Sequence, residues 1–228
     1  MNGAVTEAAI EAILWDNDGV LVDTEHLYFQ ATQHVLASAG VSLTEQQYID
    51  HFLVEGRGAW HLLEERGAAA DEIARLREER NELYSRWLRQ GPRVIPGIPD
   101  ALDALHGRYV MGVVTNSRKD HFDLIHEHTE LLKYFDFVLT AGDYPRGKPY
   151  PDAYLAAVRQ SGVGADACIA IEDSERGLEA ATWAGVRCIV VPTALTRGRR
   201  FEKAVCVLGS AAEIPDALQR VGSRLRLG

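Results

Sequence analysis

Residues 13–20 read ILWDNDGV, an apolar run that ends in two aspartates separated by one residue and followed by glycine. A short apolar segment of this kind is typical of a buried strand in a parallel sheet, and open α/β sheets bind ligands beyond the carboxyl ends of their strands. Asp16 is therefore expected at the mouth of a cleft, with Asp18 directed at the same ligand and Gly19 allowing a tight turn around an anion. The same residues also fit a plain strand-to-loop turn in which both acids only cap backbone donors.

Composition narrows the class of protein. The 228 residues are 46% hydrophobic and 25% charged, which is enough to bury a full core in one or two domains. The formal net charge of -9 argues against a nucleic-acid partner, because such surfaces need clustered Lys and Arg.

Location is inferred from what the sequence lacks. No segment joins a basic stretch to an apolar one like a secretory signal, and no apolar run approaches the roughly 20 residues that span a bilayer. We therefore expect a cytoplasmic protein without a membrane partner, either a monomer or a weak dimer. The three cysteines, Cys168, Cys188 and Cys206, lie in apolar runs and are expected to be buried and reduced.

The pattern of apolar residues changes twice along the chain. Residues 23–90 have helical spacing with breaks at Gly40, at residues 56–58 and at Gly67, and a long charged helix is predicted from Asp71. Four helices joined by short loops predict a small bundle.

From Gly91 onward, strands and amphipathic helices alternate, which indicates βαβ units and a parallel sheet. Strands are predicted at residues 110–115, 137–140, 168–171, 188–191 and 205–208, and helices from about Pro99, Arg118, Pro151, Ser174 and Ser210. The first strand must join this sheet, since alone it would leave its edges unpaired. The predicted fold is α/β, a Rossmann-like doubly wound parallel sheet formed by residues 1–22 and 92–228, with an inserted α-helical bundle, the cap, at residues 23–91.

Three later motifs fall at predicted strand ends. Thr115 and Asn116 precede a helix whose free N–H groups favour an anion. Lys148 lies in a Gly/Pro loop, where its ammonium either neutralises phosphate or is simply solvated. Glu172 and Asp173 fit a hard cation such as Mg²⁺, although Asp173 or Ser174 also fits a helix N-cap.

Together these four motifs resemble the haloacid dehalogenase-like hydrolase superfamily, in its helical-cap branch of phosphoglycolate phosphatases and β-phosphoglucomutases. The resemblance implies that Asp16 attacks phosphorus to form an aspartyl-phosphate, and that Asp18 protonates the leaving group and then activates water. It also implies that Thr115 and the Asn116 backbone bind the phosphoryl group and that Lys148 offsets charge. The Mg²⁺ cofactor would be held by Asp16, the Asp18 carbonyl, Asp173 and Glu172, the last directly or through water.

The resemblance implies an Mg-dependent phosphatase that hydrolyses a small phosphorylated metabolite of the sugar phosphate or phosphoglycolate type. Dehalogenases lack the second acid, so Asp18 favours phosphoryl transfer.

Glu25 is typical of phosphatase-like members and is a predicted substrate contact, as is Arg57 between two glycines of the cap. Tyr28 stands where mutases carry His, although His26 could substitute after a small shift in register. A phosphomutase and a non-catalytic regulatory module remain the alternatives.

Several residues outside the motifs also carry predictions. The family usually has an apolar residue at the position of Asn17, so this side chain is expected to need polar surroundings or a partner. His121, His126 and His128 are predicted to form a solvated helix face. Trp60, Trp87 and Trp183 are predicted to be packing residues.

The two linkers, near residues 22–24 and 92–97, are expected to act as hinges that let the cap close.

Overall fold

Eight strands form two sheets in the computed structural model, which describes residues 8–224. In chain order they are β1 (Ala12–Trp15), β2 (Val22–Asp23), β3 (Arg93–Val94), β4 (Val110–Arg118), β5 (Phe137–Ala141), β6 (Cys168–Glu172), β7 (Arg187–Val190) and β8 (Cys206–Val207). Six of them form a parallel sheet in the order β5-β4-β1-β6-β7-β8, with β1 paired to both β4 and β6. The predicted first strand is thus at the centre of the sheet, and the predicted fold class is confirmed.

Helices cover both faces of this sheet. They are α1 (Glu25–Ser38), α2 (Glu45–Tyr48), α3 (His61–Glu64), α4 (Ala70–Leu88), α5 (Ile98–Leu105), α6 (Lys119–His126), α7 (Asp152–Ser161), α8 (Glu175–Trp183) and α9 (Ile214–Arg224). Alternate residues of β1 divide between two buried clusters. Ile13 and Trp15 pack with α5, α6 and α9, whereas Ala12 and Leu14 pack with α7 and α8. The sheet is therefore doubly wound, as predicted.

Most predicted elements are present with small shifts at their ends. The strand predicted at residues 110–115 continues to Arg118, and the strand predicted at residues 188–191 begins and ends one residue earlier. The strand predicted at residues 205–208 is reduced to Cys206–Val207. The long charged helix begins at Ala70, one residue before the predicted start.

The helices α1–α4, with a π-helix at Ile49–Val54, form a layer beside the carboxyl edge of the sheet. This layer has its own apolar cluster, centred on Leu36, Tyr48 and Leu63, while Tyr84 and Leu88 join the cluster of the sheet. Strands β2 and β3 pair antiparallel, so both connections to the layer are held together. The domain limits at residues 23–91 stay a prediction. No helix in the described part of the chain combines the length and apolarity needed to cross a membrane.

Two predictions about side-chain environment were wrong. His121 and His126 do not form a solvated face but are buried, because α6 is covered by α4 as well as by the sheet; His121 contacts Tyr84 edge-on at 5.0 Å between ring centroids. His128 is exposed, as predicted. Trp183 is 54% exposed. Helix α8 packs against the sheet through Leu178 and Ala181, and the side chain of Trp183 lies on the opposite, outward side of the helix.

The remaining predictions of burial agree with the structure except at Cys206. Trp60 is buried, and Trp87 is partly buried against the main core. Cys168 and Cys188 are buried as predicted, whereas Cys206 is only half-buried; all three are thiols rather than halves of a disulfide.

Candidate active site

The loop after β1 brings Asp16 beside the end of β6. The backbone N–H of Asp16 donates to the carbonyl of Ile171 at 2.9 Å, which continues the pairing of the two strands by one residue. Gly19 follows with a φ of 89°, a left-handed conformation that glycine adopts without strain. A Cβ at this position would lie 2.4 Å from Asp173 Oδ2. Glycine therefore allows both the turn and the close approach of Asp173.

Lys148 is buried and fully hydrogen-bonded, which excludes the alternative of a solvated loop lysine. Its Nζ donates to Asp16 Oδ1 at 2.7 Å, to Glu172 Oε1 at 2.6 Å and to the carbonyl of Val114 at 2.7 Å. These three bonds use all three protons of the ammonium. Burial lowers the pKa of Lys148, but the charges of Asp16 and Glu172 outweigh burial and hold the pKa above its usual value.

Three buried carboxylates lie close together beside this ammonium, and two of them, Asp16 and Glu172, are bonded to it. Asp16, Glu172 and Asp173 each offer an oxygen, and these oxygens lie within 4.8 Å of one another. Burial and the charge of Glu172 raise the pKa of Asp16 to about 7, and burial with the charge of Asp16 raises the pKa of Asp173 well above its usual range. Among the described side chains of residues 8–222, none donates a hydrogen bond to the Asp173 carboxylate. The carboxylates outnumber the one ammonium that bonds to them, even with the charge of Arg176 acting on Asp173, and this excess of negative charge fits a divalent cation with oxygen ligands.

Glu172 differs from the other two carboxylates. Its Oε1 accepts hydrogen bonds from Lys148 and, at 2.6 Å, from the hydroxyl of Tyr154. A Cβ on Gly177 would lie 1.9 Å from Oε2, so only glycine fits there. Ser174, rather than Asp173, caps α8 by accepting from the Gly177 N–H at 3.2 Å. The N-cap alternative therefore does not account for Asp173.

Asp18 is held apart from this carboxylate cluster by hydroxyl donors. Its Oδ1 accepts from Thr24 Oγ1 at 2.5 Å, and its Oδ2 accepts from Ser117 Oγ at 2.7 Å and from Thr115 Oγ1 at 3.1 Å. The carboxylate is thus bonded to β4 and to the first linker at the same time. Its side chain is not part of the cluster, which is compatible with the predicted metal contact through its backbone carbonyl.

Asn116 uses its side chain to fix the Lys148 loop. Its Oδ1 accepts from the Lys148 N–H at 2.9 Å, and its Nδ2 donates to the Lys148 carbonyl at 3.1 Å. The Tyr144 hydroxyl donates to the same Oδ1 at 3.1 Å and to the Thr115 carbonyl. Any substrate contact by Asn116 therefore falls to its backbone, as the resemblance implies.

A cavity of about 410 Å³ lies between the sheet and the helical layer and is lined by residues of both. Glu25 lines it and accepts a hydrogen bond from the Tyr48 hydroxyl, and burial raises the pKa of its carboxyl. Arg57 also lines it, although its Nε donates to Glu55 Oε2 at 2.5 Å and its side chain is half exposed. Both predicted substrate contacts thus face the same space as the carboxylates.

Sequence reasoning missed several residues of this site. Ser117 and Thr24 both donate to Asp18. Ser117 directly follows the Thr115–Asn116 motif, and Thr24 lies in the first linker, but neither was predicted to contact Asp18. Arg80 is 6% exposed, stacks on Tyr28 at 4.3 Å from its ring centroid, and lines the cavity. Arg80 lies in a charged helix, where spacing alone indicates a solvated residue, so no local signal could have identified it.

The profile of the haloacid dehalogenase-like hydrolase family matches residues 13–191. This chain belongs to that family. A phosphatase of phosphorylated carbohydrates from Thermotoga maritima is 31% identical over 219 residues, 93% of this chain and 100% of that protein. The fructose-1-phosphate phosphatase YqaB of Escherichia coli is 30% identical over 183 residues, 78% of this chain and 95% of that protein.

A solved structure of this haloacid dehalogenase-like family gives a similar result. A CbbY variant from Rhodobacter sphaeroides, in complex with xylulose-1,5-bisphosphate, superposes with a TM-score of 0.78 at 28% identity. The match covers 92% of this chain and 99% of that one. The similarity therefore extends over the sheet and the helical layer together.

Proposed function

We propose that this haloacid dehalogenase-like protein is an Mg-dependent phosphatase that hydrolyses a small phosphorylated carbohydrate. The main support is the contact of the Lys148 ammonium with both Asp16 and Glu172, at the edge of a cavity that Asp18 and Asp173 also line. Thr115 lines the same cavity, so residues from four separate segments surround one space. Stabilising charge around a transferring phosphoryl group is the main task of such enzymes.

In the proposed reaction, an Asp16 carboxylate oxygen attacks phosphorus and the bond from phosphorus to the leaving oxygen breaks. Lys148 engages Asp16 Oδ1, so Oδ2 is the oxygen available for attack. Asp18 gives a proton to the leaving oxygen and then takes one from the water that cleaves the aspartyl-phosphate. Inorganic phosphate and the free Asp16 carboxylate result.

Thr115 is proposed to bind a phosphoryl oxygen by turning its single hydroxyl proton, which Asp18 accepts in the structure, towards that oxygen. The backbone N–H of Asn116 is proposed to bind a second oxygen. Lys148 is proposed to offset the negative charge that collects on phosphoryl and carboxylate oxygens. The positions of these groups are set before substrate arrives, because each is held by hydrogen bonds within the protein.

Mg²⁺ fits the carboxylate cluster, and we propose Asp16, Asp173 and the Asp18 carbonyl as its protein ligands. Glu172 is proposed to act behind them, through water, because Lys148 and Tyr154 both occupy its Oε1. When bound, the ion would neutralise phosphoryl charge and orient the group for attack.

A carbohydrate phosphate is the substrate class favoured by the relatives. The phosphatases from Thermotoga maritima and Escherichia coli are named for phosphorylated carbohydrates and fructose 1-phosphate, and the CbbY structure contains xylulose-1,5-bisphosphate. We propose that Glu25 and Arg57 contact the sugar part. A carboxylate and a guanidinium, both facing the cavity, are groups that bind hydroxyls and anions.

Phosphate release tests this proposal. The protein is incubated with p-nitrophenyl phosphate and a panel of sugar phosphates, with Mg²⁺ or with EDTA. We expect Mg-dependent release, lost by a factor of more than about 10³ in Asp16→Asn with unchanged circular dichroism. Isomerisation without release would support a mutase, and no turnover across the panel would support a non-catalytic module. Metal-dependent turnover by Asp16→Asn would contradict the covalent route.

A further inference from the structure

Asn17 lies between the two acids of the first motif, and its side chain is fully buried. Its Oδ1 lies 2.8 Å from His126 Nε2, and its Nδ2 donates to Asp18 Oδ2 at 3.2 Å. His126 Nδ1 lies 2.8 Å from Thr129 Oγ1. A continuous chain of hydrogen bonds therefore runs from Thr129 at the end of α6 to the carboxylate of Asp18.

The Asp18 carboxylate fixes the direction of the first two bonds in this chain, and a neutral His126 ring fixes the third. The Asp18 carboxylate accepts, so the Asn17 amide nitrogen must face it, and the amide oxygen faces His126. That oxygen can only accept, so His126 carries its proton on Nε2. Its Nδ1 then accepts from the Thr129 hydroxyl. Burial lowers the pKa of His126 to about 4, which keeps the ring neutral, in the form this arrangement requires.

We propose that His126 is a positioning residue, which acts through Asn17 to hold Asp18 in the orientation required for proton transfer. The inference rests on the proposed phosphatase function and adds two residues to it. Neither touches the substrate: His126 is 7% exposed and Asn17 has no exposed surface. Without the Nε2–H of His126, the amide can turn over and present its oxygen to the carboxylate, which would repel Asp18 instead of orienting it.

Leaving-group dependence separates this role from a structural one. An alkyl phosphate needs a proton on its leaving oxygen, whereas p-nitrophenolate leaves without one. We expect His126→Leu to lower kcat about tenfold for sugar phosphates and less than about threefold for p-nitrophenyl phosphate. A tenfold loss is only part of the rate enhancement of about 10²–10⁴ that a positioned general acid supplies, because Asp18 itself is still present. His126→Gln, which retains a donor near the Nε2 position, should restore most of the loss. The exposed His128→Leu is the matched control and should leave both rates unchanged.

The double variant Asn17→Leu/His126→Leu tests whether stability explains the effect. It removes both buried polar partners, so its Tm should recover relative to His126→Leu, while the difference between the two classes of substrate should persist. Equal losses for both substrates, or a difference that disappears as Tm recovers, would overturn the positioning role.

A measurement on the protein itself distinguishes failure of this inference from failure of the proposed function. Side-chain ¹⁵N NMR of the wild type should give a neutral Nε2–H tautomer for His126 at pH 7, perturbed in Asn17→Leu. A neutral Nδ1–H tautomer would overturn the inference whether or not the protein hydrolyses phosphate. Absence of phosphate release from the wild type, with the Nε2–H tautomer in place, would overturn only the phosphatase proposal and leave Asp18 positioned by this chain.

Discussion

Lys148 is the residue whose environment departs furthest from that of an ordinary loop lysine. It contacts Asp16 and Glu172, and removing its charge would leave two carboxylates buried side by side. We expect Lys148→Met to lower the free energy of unfolding by about 3–5 kcal/mol, measured by urea denaturation. Lys148→Met/Glu172→Gln should recover part of that loss, because one buried charge is gone. Equal stability of the single variant and the wild type would contradict the buried ion pairs.

His126 makes stability depend on pH in a direction that the structure fixes. Burial lowers its pKa from 6.5 to about 4, with Asp18 and Asp123 opposing the shift. Between these values the unfolded chain binds a proton that the folded protein does not. This contribution is therefore complete above pH 6.5 and lost as pH falls towards 4, to a total of about 3 kcal/mol.

The variant His126→Gln has no such titration. Its free energy of unfolding, plotted against pH, should fall less steeply than that of the wild type between pH 6.5 and pH 4. His128→Gln, which removes an exposed imidazole, should follow the wild-type profile. Parallel profiles for wild type and His126→Gln would show that the buried ring does not have this low pKa.

At the scale of the element, the loop after β1 sets the position of Asp173. Gly19 has a φ of 89°, and a Cβ there would lie 2.4 Å from Asp173 Oδ2. Gly19→Ala should therefore displace this carboxylate and raise the Mg²⁺ concentration for half-maximal activity by about tenfold. Gly67→Ala is the matched control, since Gly67 has a φ of 83° and no neighbour within 4 Å of the added Cβ. It should cost only backbone strain, about 1 kcal/mol of stability, and leave the Mg²⁺ requirement unchanged.

Elements were predictable wherever one local signal determined them. Apolar runs and helix-start residues placed the strands and helices of the sheet region within a few residues, because period and capping depend on neighbours in sequence. The environment of α6 was not predictable. Asp123 and Glu127, which alternate with His121, His126 and His128, indicate a solvated face, but α4 from a distant part of the chain covers this helix.

At the scale of the whole molecule, the site divides in the same way. The sequence alone was enough to predict that four residues of the site lie close together, because the carboxyl ends of parallel strands meet at one edge of a sheet. These residues are Asp16, Thr115, Lys148 and Asp173. Arg80 could not be predicted in this way, since its place in the cavity depends on how the helical layer docks. The hydrogen bond from Thr24 to Asp18 likewise depends on the path of the first linker. His126 contacts Asn17 across 109 positions of sequence, and no motif links them.

Mg²⁺ binding should stabilise the whole protein, because the proposed ligands come from the ends of β1 and β6, two strands that pair at the centre of the sheet. An ion that binds only the folded state adds about 2.7 kcal/mol to the free energy of unfolding at 100 times its Kd, or a Tm increase of roughly 5–10 °C in a chain of this size.

We expect this increase in Tm for the wild type at pH 7.5, measured by differential scanning fluorimetry with Mg²⁺ and with EDTA. Asp173→Asn should abolish it, because this carboxylate accepts no hydrogen bond from the described side chains of residues 8–222 and so is available to the ion. Glu172→Gln should retain more of the increase, because both Lys148 and Tyr154 already bond to that side chain. A larger loss in Glu172→Gln than in Asp173→Asn would reverse the proposed order of the ligands, with Glu172 bound directly and Asp173 behind it.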